Sequence, residues 1–450
     1  MSRMRGVTVV CLALAALAVG GCAVVDQYSG RAIVYNLQAE QAQQQQLLLN
    51  VVRASQRRPM QFTGLQTITG TASASGNFSG TESVTRNATL LATPANTVIG
   101  RAVVGNLGVG GSISGGPTFT VPVLDTQEFY QGLLTPISGQ LLDLYLQSGY
   151  PRDVLFNLVI QRIILKRTDG GCNVQTHTPN CELILRNYVL QDVDLELFQA
   201  MMSYFIRLGL NTEPLIEKAA SKGKAAEKPA ADAPKLKPFA FCFSPRDPKV
   251  YGHMKPAVLC GHPAAPGVQL NTSEIGRKAV VSGVPLEATF MNALYESSVR
   301  PRLGNDPGAM GFRDLKAFAG RQVSVSFHTR SIEEILYYLG EVVRRTHGPT
   351  DQVPVQVKVG PPQNPFPIEA CPIGERNDGY VCKALFKVEQ GGLIGPGISV
   401  DYDGVHYSVS ADPESSWSMA VLDIVKQLLA VNTSAKQLPA SNLISVISNQ

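Results

Sequence analysis

Cys242, His253, Cys260 and His262 bring two thiols and two imidazoles into one short segment of the chain. Four such donors can close a tetrahedral zinc site. The same two cysteines can instead join as a disulfide and leave both histidines at the surface. The rest of the cysteine pattern bears on that choice. Of eight cysteines, Cys11 and Cys22 lie near the start, and the other six fall into three local pairs: Cys172 with Cys181, Cys242 with Cys260, and Cys371 with Cys382. An even set in short loops suits an oxidising compartment. Local pairing is the simplest of the connectivities that the sequence permits, so these six are disulfide candidates and no metal is expected. The Cys242, His253, Cys260, His262 set is kept as the alternative.

Other reactive residues lack the neighbours that chemistry needs. The chain has no G-x-S-x-G, no H-E-x-x-H and no phosphate-binding Gly-rich loop before a helix. Ser221 to Lys224 match S-x-x-K, but in a Lys/Ala/Pro stretch that cannot hold a nucleophile in geometry. Asp401 and Asp403 start like a calcium loop that no closing Glu completes, which favours a turn. His328, beside Thr329 and Arg330, reads as a half-exposed residue at a strand end, and His177 sits in a disulfide loop. No catalytic residue is assigned and no cofactor is expected.

The elements that would position these residues are legible from periodicity. TITGTASASGNFSGTES, from Thr67 to Ser83, alternates hydroxyl residues with small or apolar ones. A period of two means a strand with two chemically distinct faces. A second run places Leu107, Val109, Ile113, Phe119, Val121 and Val123 on one face and Asn106, Ser112, Ser114, Thr118 and Thr120 on the other. Together they predict a long β-hairpin within 61–124. Each run holds its rhythm for roughly 18 residues, about 60 Å at strand rise, and about 10 tilted residues are enough to cross an outer membrane.

Before the hairpin, 22–60 reads as a tether and an amphipathic helix carrying Ile33, Val34, Leu37, Leu48, Val51 and Val52, with glutamines around the rest. After it, 125–211 is expected to be mainly helical, interrupted by Pro136 and Pro151. Val154 to Leu165 fits either a helix or a buried strand, and a helix from Asp192 stops at Gly209. Residues 212–238 form an Ala/Lys/Pro linker or exposed insertion. Residues 239–450 read as a C-terminal α+β domain: the strand QVSVSF, then a helix opened by a Ser331/Glu334 capping box. Two strands follow around Asp403-Gly404. A helix N-capped by Asp412 with Pro413 at its first position buries Trp417, Val421, Ile424 and Leu428, and a last strand falls near Leu443 to Ile447. The fold class is α+β.

Residues 1–21 have a basic start (Arg3, Arg5), an apolar run and then small residues, the layout of a secretory signal. The ending Val19-Gly20-Gly21-Cys22 resembles the lipobox of bacterial lipoproteins. That resemblance implies cleavage before Cys22 and diacylglyceryl attachment to its sulfur, and Ala23 after it implies the outer membrane. VSVSFHTRSIEEILYYLGEVV resembles the strand and helix that open the ring-building domains of secretins and TonB-linked receptors. The lipidated start, LLLNVVRASQRRPMQF, LLTPIS, HTRSIEEILYYLG and YDGVHYSVSADPESSWS together resemble a group of uncharacterised proteobacterial outer-membrane lipoproteins, which brings no known activity.

The formal charge of +4 falls toward neutral once Arg3 and Arg5 are removed, so no nucleic-acid partner is expected. The expectation is a non-enzymatic lipoprotein of the bacterial outer membrane, lipid-anchored and facing the periplasm or the surface. Its partners are the membrane through the N-terminal lipid, other copies of itself or other envelope proteins, in a multi-subunit assembly such as a ring or channel. The alternatives are a monomeric periplasmic binding or accessory protein and, third, an envelope hydrolase.

Overall fold

The computed structural model describes residues 33–34, 36–63, 67–77, 110–120, 123–124, 126–168, 172, 181–214, 239–245, 254, 259–261, 279–347, 355–359, 376–377, 380–392, 396–414 and 416–434. The fold is α+β, with helices and several small antiparallel sheets. Two compact units result, one containing the residues up to 60 together with 125–450, the other 61–124.

In the larger unit, several helices start where a side chain accepts a free N–H group of the first turn. Helix α1 includes the described residues 33–34 and 36–55. Helix α2 (Gln127–Leu134) is capped by Thr126, whose hydroxyl accepts from the Phe129 amide, and α3 (Gly139–Gln147) is capped likewise by Ser138. Pro136 and Pro151 fall between helices, and α4 (Arg152–Val159) begins directly after Pro151. The ambiguous Val154 to Leu165 segment is both things in turn: α4 ends at Val159 and strand β3 (Ile160–Arg167) starts at the next residue.

Strand β3 pairs antiparallel with β4 (Glu182–Arg186) on one side and β8 (Gln322–Thr329) on the other, and β8 pairs with β7 (Ala279–Pro285), giving the order β4-β3-β8-β7. The period of two is plain in the burial. Ile163, Leu165, Leu183, Leu185, Val323, Val325 and Phe327 share one face and are all buried. Phe327 meets Phe205 of α5 (Asp192–Arg207) edge to face at 5.6 Å and Phe241 of β6 (Phe239–Phe243) at 4.7 Å.

This sheet changes the expected layout. The section expected to be mainly helical supplies β3 and β4, and their partners β7 and β8 come from beyond residue 239. A single sheet therefore spans that boundary. The branched residues Ile160, Ile163 and Ile164 favour the pleated surface over helix continuation. Strand β5 (Leu210–Pro214) pairs with β6, so the 215–238 segment connects two neighbouring strands. At the end of α5, Gly209 has φ +87°, and a Cβ there would overlap the carbonyl of Ser244.

Helix α6 (Ala288–Leu294) precedes β8, and α7 (Ile332–His347) follows it. The capping box is formed as expected: the Ser331 amide donates to Glu334 Oε2 at 2.8 Å, and the Glu334 amide donates to Ser331 Oγ at 3.2 Å. Strands β9 (Gln356–Val359), β10 (Arg376–Asn377) and β11 (Tyr380–Ala384) make a sheet of order β10-β11-β9, and β12 (Glu389–Gln390), β13 (Gly397–Tyr402) and β14 (Val405–Ser410) make another of order β12-β14-β13. Asp403 and Gly404 turn β13 into β14 with positive φ of 54° and 78°, as a two-residue hairpin requires.

The last described helix, α8, is Ser418–Ser434 and begins later than expected. Asp412 caps only a turn, accepting from the Glu414 amide. Ser416 bridges to Ala384 and the Trp417 amide donates to the Ala384 carbonyl, which holds 416–417 extended until Ser418. Trp417 is half-buried, while Val421, Ile424 and Leu428 are buried as expected. The strand expected near Leu443 to Ile447 lies outside the described residues, as does the 1–21 signal segment with Cys22. No helix among the described residues is long and apolar enough to cross a membrane.

Candidate functional site

The smaller unit is the hairpin. Strand β1 (Thr67–Asn77) and β2 (Gly110–Thr120) pair antiparallel over eleven residues each. The register sets like against like: Thr67 faces Thr120, Thr69 faces Thr118, Ser73 faces Ser114 and Ser75 faces Ser112. On the opposite face, Ile68 is across from Phe119, Ala72 from Gly115 and Ala74 from Ile113. A slip of one residue would mix the two faces. The Thr63 to Val123 bridge and the Leu124 amide to Phe62 carbonyl bond at 2.9 Å hold the base. The outer parts of both predicted runs, Phe78 to Ser83 and Asn106 to Val109, lie outside the described residues.

In the larger unit, the densest polar arrangement surrounds Arg330, which sits between β8 and α7 and is 3% exposed. Its Nη1 donates to the carbonyls of Leu158 and Ile160 at 2.9 and 3.0 Å, with Asn157 at 3.4 Å, and Nη2 donates to the Asn187 carbonyl at 2.9 Å. Three of those four carbonyls belong to the end of α4 and the start of β3. A helix leaves its last carbonyls without partners, at the negative end of its dipole. Here a cation from a distant element supplies the donors. The Asn187 side-chain amide adds bonds to the Asn157 and Ile160 carbonyls at 2.7 and 3.1 Å. Desolvation pulls the Arg330 pKa down to about 10, which still leaves it charged at neutral pH.

Next to it, His328 is buried, with Nδ1 3.3 Å from Arg162 Nη2, its partner across the β3/β8 ladder. This corrects the expectation of a half-exposed residue: β8 is an inner strand, so its end is covered. In the first turn of α4, burial pushes the Asp153 carboxyl up to about 7, countered in part by its own backbone amide and by Arg152. Burial also raises Asp194, opposed by Arg186 and reinforced by Asp306.

Among the described residues, Cys172 is bonded to Cys181 and Cys242 to Cys260. Cys382 is disulfide-bonded as well, while Cys371 lies outside the described residues. Cys242 and Cys260 converge with Glu213, but their sulfurs are bonded to each other and Glu213 Oε2 accepts from the Gly261 amide at 2.6 Å. The thiolates that a zinc set would use are thus consumed in the bridge. His253, His262, His177 and the Ser221 to Lys224 match lie outside the described residues.

Asp401 and Asp403, at the β13/β14 turn, already have partners: Asp401 Oδ1 meets His406 Nδ1 of β14 at 2.6 Å, and Asp403 pairs with Arg58, just beyond α1, at 3.0 Å. Sequence reasoning missed the role of Arg330. Its signal was positional, an arginine lodged between a strand and the N-cap serine of the next helix. Comparison with protein-family models, with curated proteins and with solved structures finds no match for the chain.

Proposed function

We propose that this chain is an outer-membrane lipoprotein, anchored through Cys22, that serves as a structural component of a multi-subunit envelope assembly such as a ring or channel. The observation that carries this reading is the β1/β2 ladder, a unit of its own with every Ser or Thr of β1 on one face. A two-stranded hairpin is marginal in water, and each edge is a template for a further strand. Strands from other copies would satisfy both edges and continue the hydroxyl face around a closed sheet. Eleven residues match the length of a tilted strand that crosses a bilayer. The Gly and Ala content of the other face equally suits close stacking of one copy on another.

The test is the mass of the acylated protein extracted from membranes in mild detergent, with and without residues Thr67 to Val121. A large regular particle that falls to single chains on deletion supports the reading. A monomer from the intact chain sinks it, and an unchanged particle after deletion removes the hairpin's role.

A further inference from the structure

Helix α1 is a core helix only in its second half. Leu47, Leu48, Val51 and Val52 are buried at 3% exposure or less, whereas Ile33, Val34 and Leu37 are exposed at 62%, 46% and 58%. The described residues from 33 to 43 are exposed or nearly so, so the helix start stands clear of the body. The large apolar residues there are confined to its first turn, and from Gln38 to Gln46 the sequence is Gln, Ala and Glu only. Helix α8 runs antiparallel beside it: Gln44 Nε2 donates to Asp423 Oδ1 at 3.0 Å and Lys426 Nζ pairs with Glu40 at 2.8 Å. Near the end of α8, Val431 is 48% exposed.

We propose that the start of α1 is a membrane-surface contact, with Ile33, Val34 and Leu37 seated in the interface of the bilayer that holds the lipid. This rests on the reading of Cys22 as the anchor, which selects the occupant. Cys22 precedes Ile33 by eleven positions, a reach of at most about 40 Å. The apolar turn is the part of the described chain nearest in sequence to that anchor, and the side chains become polar with distance from it. An acyl anchor combined with a second, weak apolar contact holds more firmly than either alone. It also fixes which end of α1 faces the lipid.

The mature chain with Cys22→Ala, which carries no acyl group, isolates this contact from the anchor. Floated with vesicles of phosphatidylethanolamine and phosphatidylglycerol, it should bind measurably, and the triple variant Ile33→Gln, Val34→Gln, Leu37→Gln should lose about tenfold of that binding. Its mass in vesicle-free solution should match the parent's. Equal flotation of the two overturns the proposal. So does a triple variant whose particle mass falls while flotation holds, because a second copy then covers this turn. Mass analysis of Cys22 in membrane-extracted protein is a separate readout: an unmodified cysteine defeats the anchor reading, while flotation of the unacylated chain still reads the helix by itself.

Discussion

The guanidinium carbon of Arg330 lies 3.8 Å from the centroid of the Tyr338 ring, in the second turn of α7. The ring covers one face of the planar cation while backbone carbonyls take its N–H groups. The compensation for burying this charge therefore comes mainly from neutral dipoles and the Tyr338 ring, with the Glu334 carboxylate adding a smaller Coulombic attraction. The same side chain ties the α4/β3 junction to the β8/α7 junction and to Asn187, three stretches distant in sequence.

Replacing Arg330 with Met should destabilise the body by about 3–5 kcal/mol, since several buried carbonyls lose their donors at once. Arg330→Lys keeps the charge but not the planar fork, and should recover only part of the loss. Urea denaturation followed by circular dichroism measures both. A shift under about 0.5 kcal/mol for the Met variant would show that the carbonyl cage contributes nothing.

Helices α1 and α7 touch backbone to backbone at Gly340. A Cβ there would lie 2.7 Å from the Ala54 Cβ and 2.7 Å from the Ser55 amide nitrogen. Alanine gains helix propensity on the order of 1 kcal/mol over glycine, but overpacking costs about 1–3 kcal/mol. Gly340→Ala should therefore lower the melting temperature. Adding Ala54→Gly should recover part of the loss, because the Ser55 backbone remains in place. A more stable Gly340→Ala variant would mean that the helices separate freely.

Asp153 gives a pH signature. Its folded pKa of about 7 stands above the ordinary aspartate value, so the folded state holds a proton that the unfolded chain releases earlier. Stability should fall as pH rises from about 4 to about 7 and then level off. Asp153→Asn should remove this slope, adding on the order of 2 kcal/mol above pH 7 and little near pH 4. Denaturation midpoints across that range measure it. Parallel curves for the two proteins would rule out Asp153 as the source.

Local signals were read well wherever a few neighbouring residues decide the outcome. Ser331 and Glu334 satisfy each other's backbone groups, Asp403 and Gly404 adopt positive φ, and Gly209 stops α5, all within a turn of the residues that announce them. The segment from Val154 to Leu165 is not divided by its own residues alone, because the side chain that takes the carbonyls at its helix end is Arg330, more than 160 positions away in sequence. Burial of His328 was hidden for a related reason: a residue near a strand's end is covered or bare according to its neighbours in the sheet, and β3 and β7 come from separate parts of the chain. Of the apolar stripe expected for α1, Leu48, Val51 and Val52 are buried, whereas Ile33, Val34 and Leu37 are exposed. That its two ends have different surroundings depends on where the body stops.

Pro214 and Phe239 are register partners at the open end of the β5/β6 ladder. Their Cα atoms are therefore about 5 Å apart, whatever chain is threaded between them. That makes the junction a splice point: a folded reporter whose own termini are close together can replace the Lys/Ala/Pro stretch without spreading the two strands. A fluorescent protein placed there would label the body while leaving both the N-terminal cysteine and the hairpin in their natural sequence.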